Sequence, residues 1–233
     1  MEQPVVLDPG AGIRSDPLKR STLLARQGRR PSGLLGHIVG RIMARETHAA
    51  NLVTLDRLDL VADDHVLEIG FGHGRTLAAA SQTVTRGRLA GVDPSSVMLQ
   101  IARRRNAGTL RAGRMELKPG VSEHLPFGDG DFNKAYAVHT IYFWPRPERD
   151  LAEILRVLAP GGLLVLGYRP SSDEGFVRDF PAEIYHIRSI EEVERALFAA
   201  GFSDIETVSR PAGHGLMAWT TGRKARAACG GTG

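Results

Sequence analysis

From His65 to Arg169, short apolar runs alternate with stretches whose apolar residues recur at helical spacing. "HVLEIG", "RLAGVD", "FNKAYAVH" and "GGLLVLGYR" are strands, and "RMELKP" is a weaker one. Between or after them, Arg75–Thr85, Ser95–Asn106, Pro147–Leu158 and Ile190–Ala200 read as helices. This alternation of strand and helix implies a parallel sheet covered on both faces. The pattern then changes. "SDIETVSR" and "GLMAWTTGR" are both strands, separated only by "PAGHG". A parallel pair needs a crossover of a dozen or more residues, so these two form an antiparallel hairpin. The predicted fold is α/β, a mostly parallel sheet with helices on both faces and a reversed last strand.

The remainder of the chain is read around that domain. Of 233 residues, the first 33 are rich in Pro, Gly, Ser and Arg without a sustained period, and form a mobile basic arm. Residues 34–221 make one domain. Its helical N-terminal cap runs from Leu34 to Asp59, and a lid-like insertion lies near 169–188. Residues 222–233 form a disordered tail. No apolar run is long enough to span a membrane, and the start lacks a signal peptide's charged and apolar segments. Cys229 is the only cysteine, which excludes an intrachain disulfide and a cysteine-based metal cluster. The expected location is cytoplasmic.

The net charge of +4 raises the question of nucleic acid. The two ends carry nine of the 30 basic residues and only three of the 26 acidic ones, so the body is slightly acidic. That distribution argues against phosphate-backbone binding. "RRRNAGTLRAGR" is a local exception and reads as a solvated helix face.

The first strand-to-helix turn is "EIGFGHG". In an open α/β sheet, ligands bind beyond the carboxyl ends of the strands where strand order reverses. Gly70 permits the tight turn, Gly72 lets a ligand approach the backbone, and Gly74 leads into a helix whose N-terminus favours an anionic group. Asp93 ends the next strand, where its carboxylate can hold a ribose diol. An N-cap role is the alternative for Asp93, but Ser95 is placed to cap that helix itself. Arg75 stands where a dinucleotide fingerprint has its third glycine, so the spacing is G-x-G-x-G.

With these segments in place, the chain resembles the class I S-adenosylmethionine-dependent methyltransferases of the broad small-molecule group. "VLEIGFGHG", "GVDPSSVML", "SEHLPFGDGDFNKAYAVH" and "EILRVLAPGGLLVLGYR" occur in that family's order. The resemblance implies a Rossmann-like seven-stranded sheet and S-adenosylmethionine as cofactor. It implies that Glu68, Gly70 and Gly72 surround the cofactor's methionine part, that Asp93 holds the ribose, and that Pro94 and Met98 lie near the adenine and ribose. Ser122 and Glu123 would border the adenine edge. His139 would sit beside the sulfonium as the candidate catalytic residue, either a general base or a wall residue. Two positions depart from the family: Val121 replaces an Asp that accepts the adenine amino group, and Asn133 replaces an Asp that caps local backbone.

"VHTIYFWP", after the fourth strand, lacks the Asn/Asp-Pro-Pro-Tyr type of motif found in enzymes that methylate exocyclic amines of bases. O- or C-methylation of a small organic acceptor is therefore expected, without a metal. Candidate acceptor contacts are His37, Arg41, Arg45 and His48 near the N-terminus, and Phe176, Phe180, Tyr185 and His186 in the insertion, which is either a lid over the acceptor or a surface excursion packing its own aromatics. Two alternatives remain: a nicotinamide-dependent oxidoreductase on the same topology, and a non-catalytic S-adenosylmethionine-binding protein. The oligomeric state is not readable.

Overall fold

The computed structural model describes residues 48–212 and 215–226. The expected N-terminal arm, most of the helical cap with His37, Arg41 and Arg45, and residues 227–233 lie outside the described residues. The elements in chain order are α1 (His48–Leu58), β1 (His65–Ile69), α2 (Arg75–Thr83), β2 (Arg88–Asp93), α3 (Ser96–Arg105), α4 (Ala107–Arg111), β3 (Met115–Pro119), β4 (Phe132–Val138), a 3₁₀ turn (Ile141–Phe143), α5 (Pro147–Val157), β5 (Leu158–Tyr168), α6 (Glu174–Asp179), α7 (Ile190–Ala199), β6 (Phe202–Ala212) and β7 (Gly215–Lys224). β7 continues three residues past 221, where the sequence placed the start of the tail.

The sheet has seven strands in the order β3-β2-β1-β4-β5-β7-β6. β1 pairs in parallel with both β2 and β4, and β5 continues the parallel run. β7 is antiparallel to both β5 and β6, so it alone is reversed. Rossmann-like architecture and the reversed last strand both follow the sequence expectation.

Side chains on a strand alternate between faces, and the central strands here feed two separate apolar layers. Leu67, Ile69, Ala135, Ala137, Leu164 and Leu166 pack with Leu151 and Ile154 of α5 and with Val193 and Leu197 of α7. Val66, Tyr136 and Val165 face the other way, toward Leu58, Leu77, Ala80, Leu99 and Ala102 of α1, α2 and α3. Near-continuous apolar strands are thus explained: both faces are covered.

Local signals set the helix starts. Ser95 Oγ accepts the Met98 N–H, as expected from sequence, and α5 opens on Pro147 at its first turn. Ser189 and Glu192 form a reciprocal capping box on α7. Asn133 does the capping work expected of it: its Oδ1 accepts the His65 N–H at 2.7 Å and its Nδ2 donates to Asp64 at 2.7 Å.

Candidate active site

Strand order reverses between β1 and β4, which places the crevice beyond their carboxyl ends. The β1 turn and the end of β4 both lie there. Gly70, Gly72 and Gly74 all have positive φ, at 75°, 52° and 69°. Three consecutive left-handed positions at alternate residues require glycine on backbone grounds alone.

What lies over each glycine differs. A Cβ on Gly70 would fall 2.3 Å from the methyl of Thr140, so this glycine is needed by the loop after β4 as well as by the turn. A Cβ on Gly74 would strike Asn106 and Ala102 of the α3 end at 2.7 and 2.8 Å. A Cβ on Gly72 would meet no atom within 4 Å. Gly72 therefore fronts open space, and a side chain there would fill it.

Asp93, only 6 % exposed, ties this loop to β2. Its Oδ2 accepts the Gly72 N–H and its Oδ1 the Ser95 N–H, each at 2.8 Å. Burial raises its pKa, and the two N–H donors oppose that rise. A carboxylate has about four lone-pair sites, so two remain for a diol. Pro94 is half-buried beside it and Met98 is buried in the first turn of α3.

Glu68 is buried and accepts the Tyr136 hydroxyl at 3.0 Å. Burial, reinforced by the nearby Asp93 charge, pushes its pKa up to about 8 against the hydrogen bonds from Tyr136, Thr76 and Leu77. Two buried carboxyl groups with no cation paired to either among the described residues suit a ligand whose positive charge favours their ionised forms.

Ser122, 8 % exposed, donates its hydroxyl to Asp150 of α5. With that group engaged, Ser122 offers a ligand its main chain. Asp150 Oδ2 is buried without a partner among the described residues, and burial raises the carboxyl to about 6. Val121 is 49 % exposed and Glu123 half-buried on the same loop.

His139, directly after β4, has φ +58°, an uncommon conformation for a residue with a side chain. Its N–H donates to the Gly167 carbonyl at 2.8 Å, and its Nδ1 lies 3.1 Å from the Tyr142 hydroxyl. Burial, helped by the Arg169 guanidinium, pushes its pKa down to about 4. Thr140 Oγ1, next along the chain, is buried with no partner among the described residues.

The segment 169–188 packs its aromatics rather than displaying them. Phe176 and Tyr185 are 4 % and 6 % exposed. Their rings, with Phe180, stack on one another and on Tyr142 and Phe143 at centroid distances of 4.4–6.2 Å. Asp173 anchors the segment. Its Oδ2 accepts from Arg169 at 2.6 and 2.8 Å and from the Leu216 N–H at 2.8 Å, while Oδ1 caps α6 through the Phe176 N–H.

Several supports escaped the sequence reading. The arginine run is not only a solvated face. Arg105 donates to the His73 carbonyl at 3.0 Å, Arg103 to that of Leu117 and Arg114 to that of Val84. Asn106 Nδ2 donates to the carbonyls of Gly74 and Ala102 at 3.0 and 2.9 Å, fastening the glycine turn to α3. Tyr136, Tyr142, Thr140 and Asp150 carried no pattern that marks them in a single sequence.

A glycine-floored crevice at the switch point, an acid ending β2 and a reversed seventh strand define the class I S-adenosylmethionine-dependent methyltransferases, and the chain is one of them. Residues 67–166 match the family model described as a methyltransferase domain. The chain is 29 % identical over 170 residues to the Bacillus subtilis (strain 168) methyltransferase YdaC, covering 72 % of this chain and 88 % of that one. It is 32 % identical over 143 residues to a fatty-acid O-methyltransferase of Mycolicibacterium smegmatis, covering 59 % of this chain and about half, 51 %, of the relative. The Haemonchus contortus phosphoethanolamine N-methyltransferase 2, solved with S-adenosyl-L-methionine, superposes with a TM-score of 0.65 at 18 % identity over 76 % of this chain and 52 % of that one. At that identity the likeness is one of fold. The family assignment removes the oxidoreductase alternative. No helix among the described residues is long and apolar enough to cross a membrane.

Proposed function

We propose that the chain moves the methyl group of S-adenosylmethionine to oxygen or carbon of a small organic acceptor. The observation that carries this is the open space over Gly72, framed by the buried carboxylates of Glu68 and Asp93 and bordered by the end of β4. The residues fit the cofactor: a Cβ at 72 would fill the cradle, and the Thr140 hydroxyl beside Gly70 is a buried polar group without a protein partner among the described residues. Bound there, the cofactor supplies an electrophilic methyl on a sulfonium. Glu68, Gly70 and Gly72 would hold its methionine part, and Asp93 its ribose. Pro94 and Met98 would flank the adenine and ribose. The main chain of Ser122, with Glu123, would border the adenine edge in place of the Asp absent at Val121.

The protein's remaining task is to align the acceptor and exclude water. His139 would border the methyl group. Oxygen or carbon is favoured because no Asn/Asp-Pro-Pro-Tyr type of motif follows β4. The O-methyltransferase name of the M. smegmatis relative points the same way.

The test is incubation with methyl-labelled S-adenosylmethionine and a defined panel of carboxylic acids, phenols, naphthols, alcohols and amines, read by mass spectrometry. Label on oxygen or carbon is expected. Label confined to amines, or cofactor binding with no transfer, would contradict the proposal.

A further inference from the structure

The hydrogen bonds around Tyr142 determine which nitrogen of His139 carries the proton. The Arg169 N–H donates to the Tyr142 hydroxyl oxygen at 2.5 Å. The same oxygen lies 3.1 Å from His139 Nδ1, with the two rings stacked 29° apart. Tyr142 is 2 % exposed. If Nδ1 were the donor, the hydroxyl would accept twice and its own proton would be buried with no acceptor among the described residues. A buried donor in that state costs free energy that native structures avoid. If the hydroxyl donates to Nδ1, all three groups are satisfied at once. Neutral His139 then carries its proton on Nε2.

Nε2 has no hydrogen-bond partner among the described residues, and His139 as a whole is half-buried. The strained backbone at φ +58° and the bond to the Gly167 carbonyl fix where the ring starts. Such strain is kept where the surroundings over-determine it, commonly at functional sites.

We infer that His139 acts as a hydrogen-bond donor through Nε2–H, and that the acceptor is a small organic acid whose nucleophilic oxygen is already ionised, a carboxylate or an acidic phenol. The inference rests on the proposed methyl transfer and names its substrate class. A neutral alcohol must lose a proton as it is methylated, and an N–H donor cannot take it. A carboxylate or phenolate needs no base. Its own lone pair forms the new C–O bond, the methyl–sulfur bond breaks with its electrons left on sulfur, and the positive and negative charges are both neutralised. A charge-assisted bond from Nε2–H aligns that oxygen.

The surroundings agree. Arg169, the charged group facing the ring from the β5 side, disfavours a second proton on the imidazole, and its own charge is held by Asp173. A histidine whose pKa lies near 4 is neutral at cellular pH and a weak base. Tyr142, from the 3₁₀ turn, has its pKa raised by burial and is no base either.

Two measurements test this. ¹⁵N NMR of the imidazole in the full-length protein, with S-adenosylhomocysteine absent and present, needs no acceptor. Nε2 protonated with Nδ1 accepting is expected, and a protonated Nδ1 would overturn the inference. With acceptors from the labelled panel, transfer to a carboxylic acid should be flat between about pH 6 and 9. His139→Ala should raise its KM roughly 10- to 100-fold, and His139→Gln, which keeps an N–H donor without a basic nitrogen, should recover most of that loss. Transfer only to neutral alcohols, with a rate rising through an ionisation that both variants abolish, would overturn the donor role while leaving methyl transfer intact. No transfer to any acceptor would instead remove the underlying proposal, and the tautomer would still be read.

Discussion

The Gly72 N–H and the Asp93 Oδ2 are joined by a 2.8 Å hydrogen bond across 21 positions of sequence. One carboxylate therefore holds the floor of the crevice and, with its remaining lone pairs, can hold a ribose. Asp93→Ala loses both. S-adenosylmethionine and S-adenosylhomocysteine are expected to bind about 10- to 100-fold more weakly, as for a lost charge-assisted hydrogen bond. Calorimetry checks this, and near-normal affinity would place the ribose elsewhere.

Gly72→Val separates binding from folding. The site has room for the side chain, since no atom lies within 4 Å of the Cβ position. The φ of 52° makes the substitution strained by about 1–2 kcal/mol. Native circular dichroism with a modestly lowered Tm and no detectable cofactor binding is the expected outcome. Native dichroism with binding retained would show that the space over Gly72 is not the cradle.

Asn106→Ala tests a support on the far side of the turn. The residue is 4 % exposed and bonds the Gly74 and Ala102 carbonyls. Its loss should cost about 1–3 kcal/mol in denaturant unfolding and weaken cofactor binding without touching the ligand. An unchanged affinity alongside the lost stability would mean that the turn keeps its shape unaided.

Glu68 gives a pH dependence of definite sign. Its folded pKa of about 8 lies above the 4.5 of an ordinary glutamate. Between those values the folded state keeps a proton that the unfolded state releases, so this group's contribution to stability falls as pH rises through that window. Glu68→Gln removes the titration. The stability of the variant relative to wild type should grow from about pH 5 to 8 and then level off. A difference independent of pH, measured by thermal unfolding, would show that Glu68 is ionised throughout.

The sheet was legible because period-two apolar runs, a five-residue "PAGHG" link and Ser95, Ser189 and Pro147 all mark boundaries locally. The Gly70–Gly74 turn and Asp93 were legible for the same reason: their chemistry needs those residue types at the strand ends. The supports were not. Asn106 reaches Gly74 across 32 positions and Tyr136 reaches Glu68 across 68, and nothing in a single sequence joins them. The insertion could be read either as a lid or as a self-packed excursion. Its Phe176 and Tyr185 turn inward onto Tyr142, a contact made only when β4 and β5 lie side by side.

Incubation of wild type and Gly72→Val with methyl-labelled S-adenosylmethionine and a metabolite extract, followed by separation of small molecules from macromolecules, tests the central claim most directly. Wild type is expected to place the label on oxygen or carbon of a small organic acid and to release S-adenosylhomocysteine in equal amount, and Gly72→Val to do neither. Label in the macromolecular fraction, or equal labelling by the variant, would contradict it.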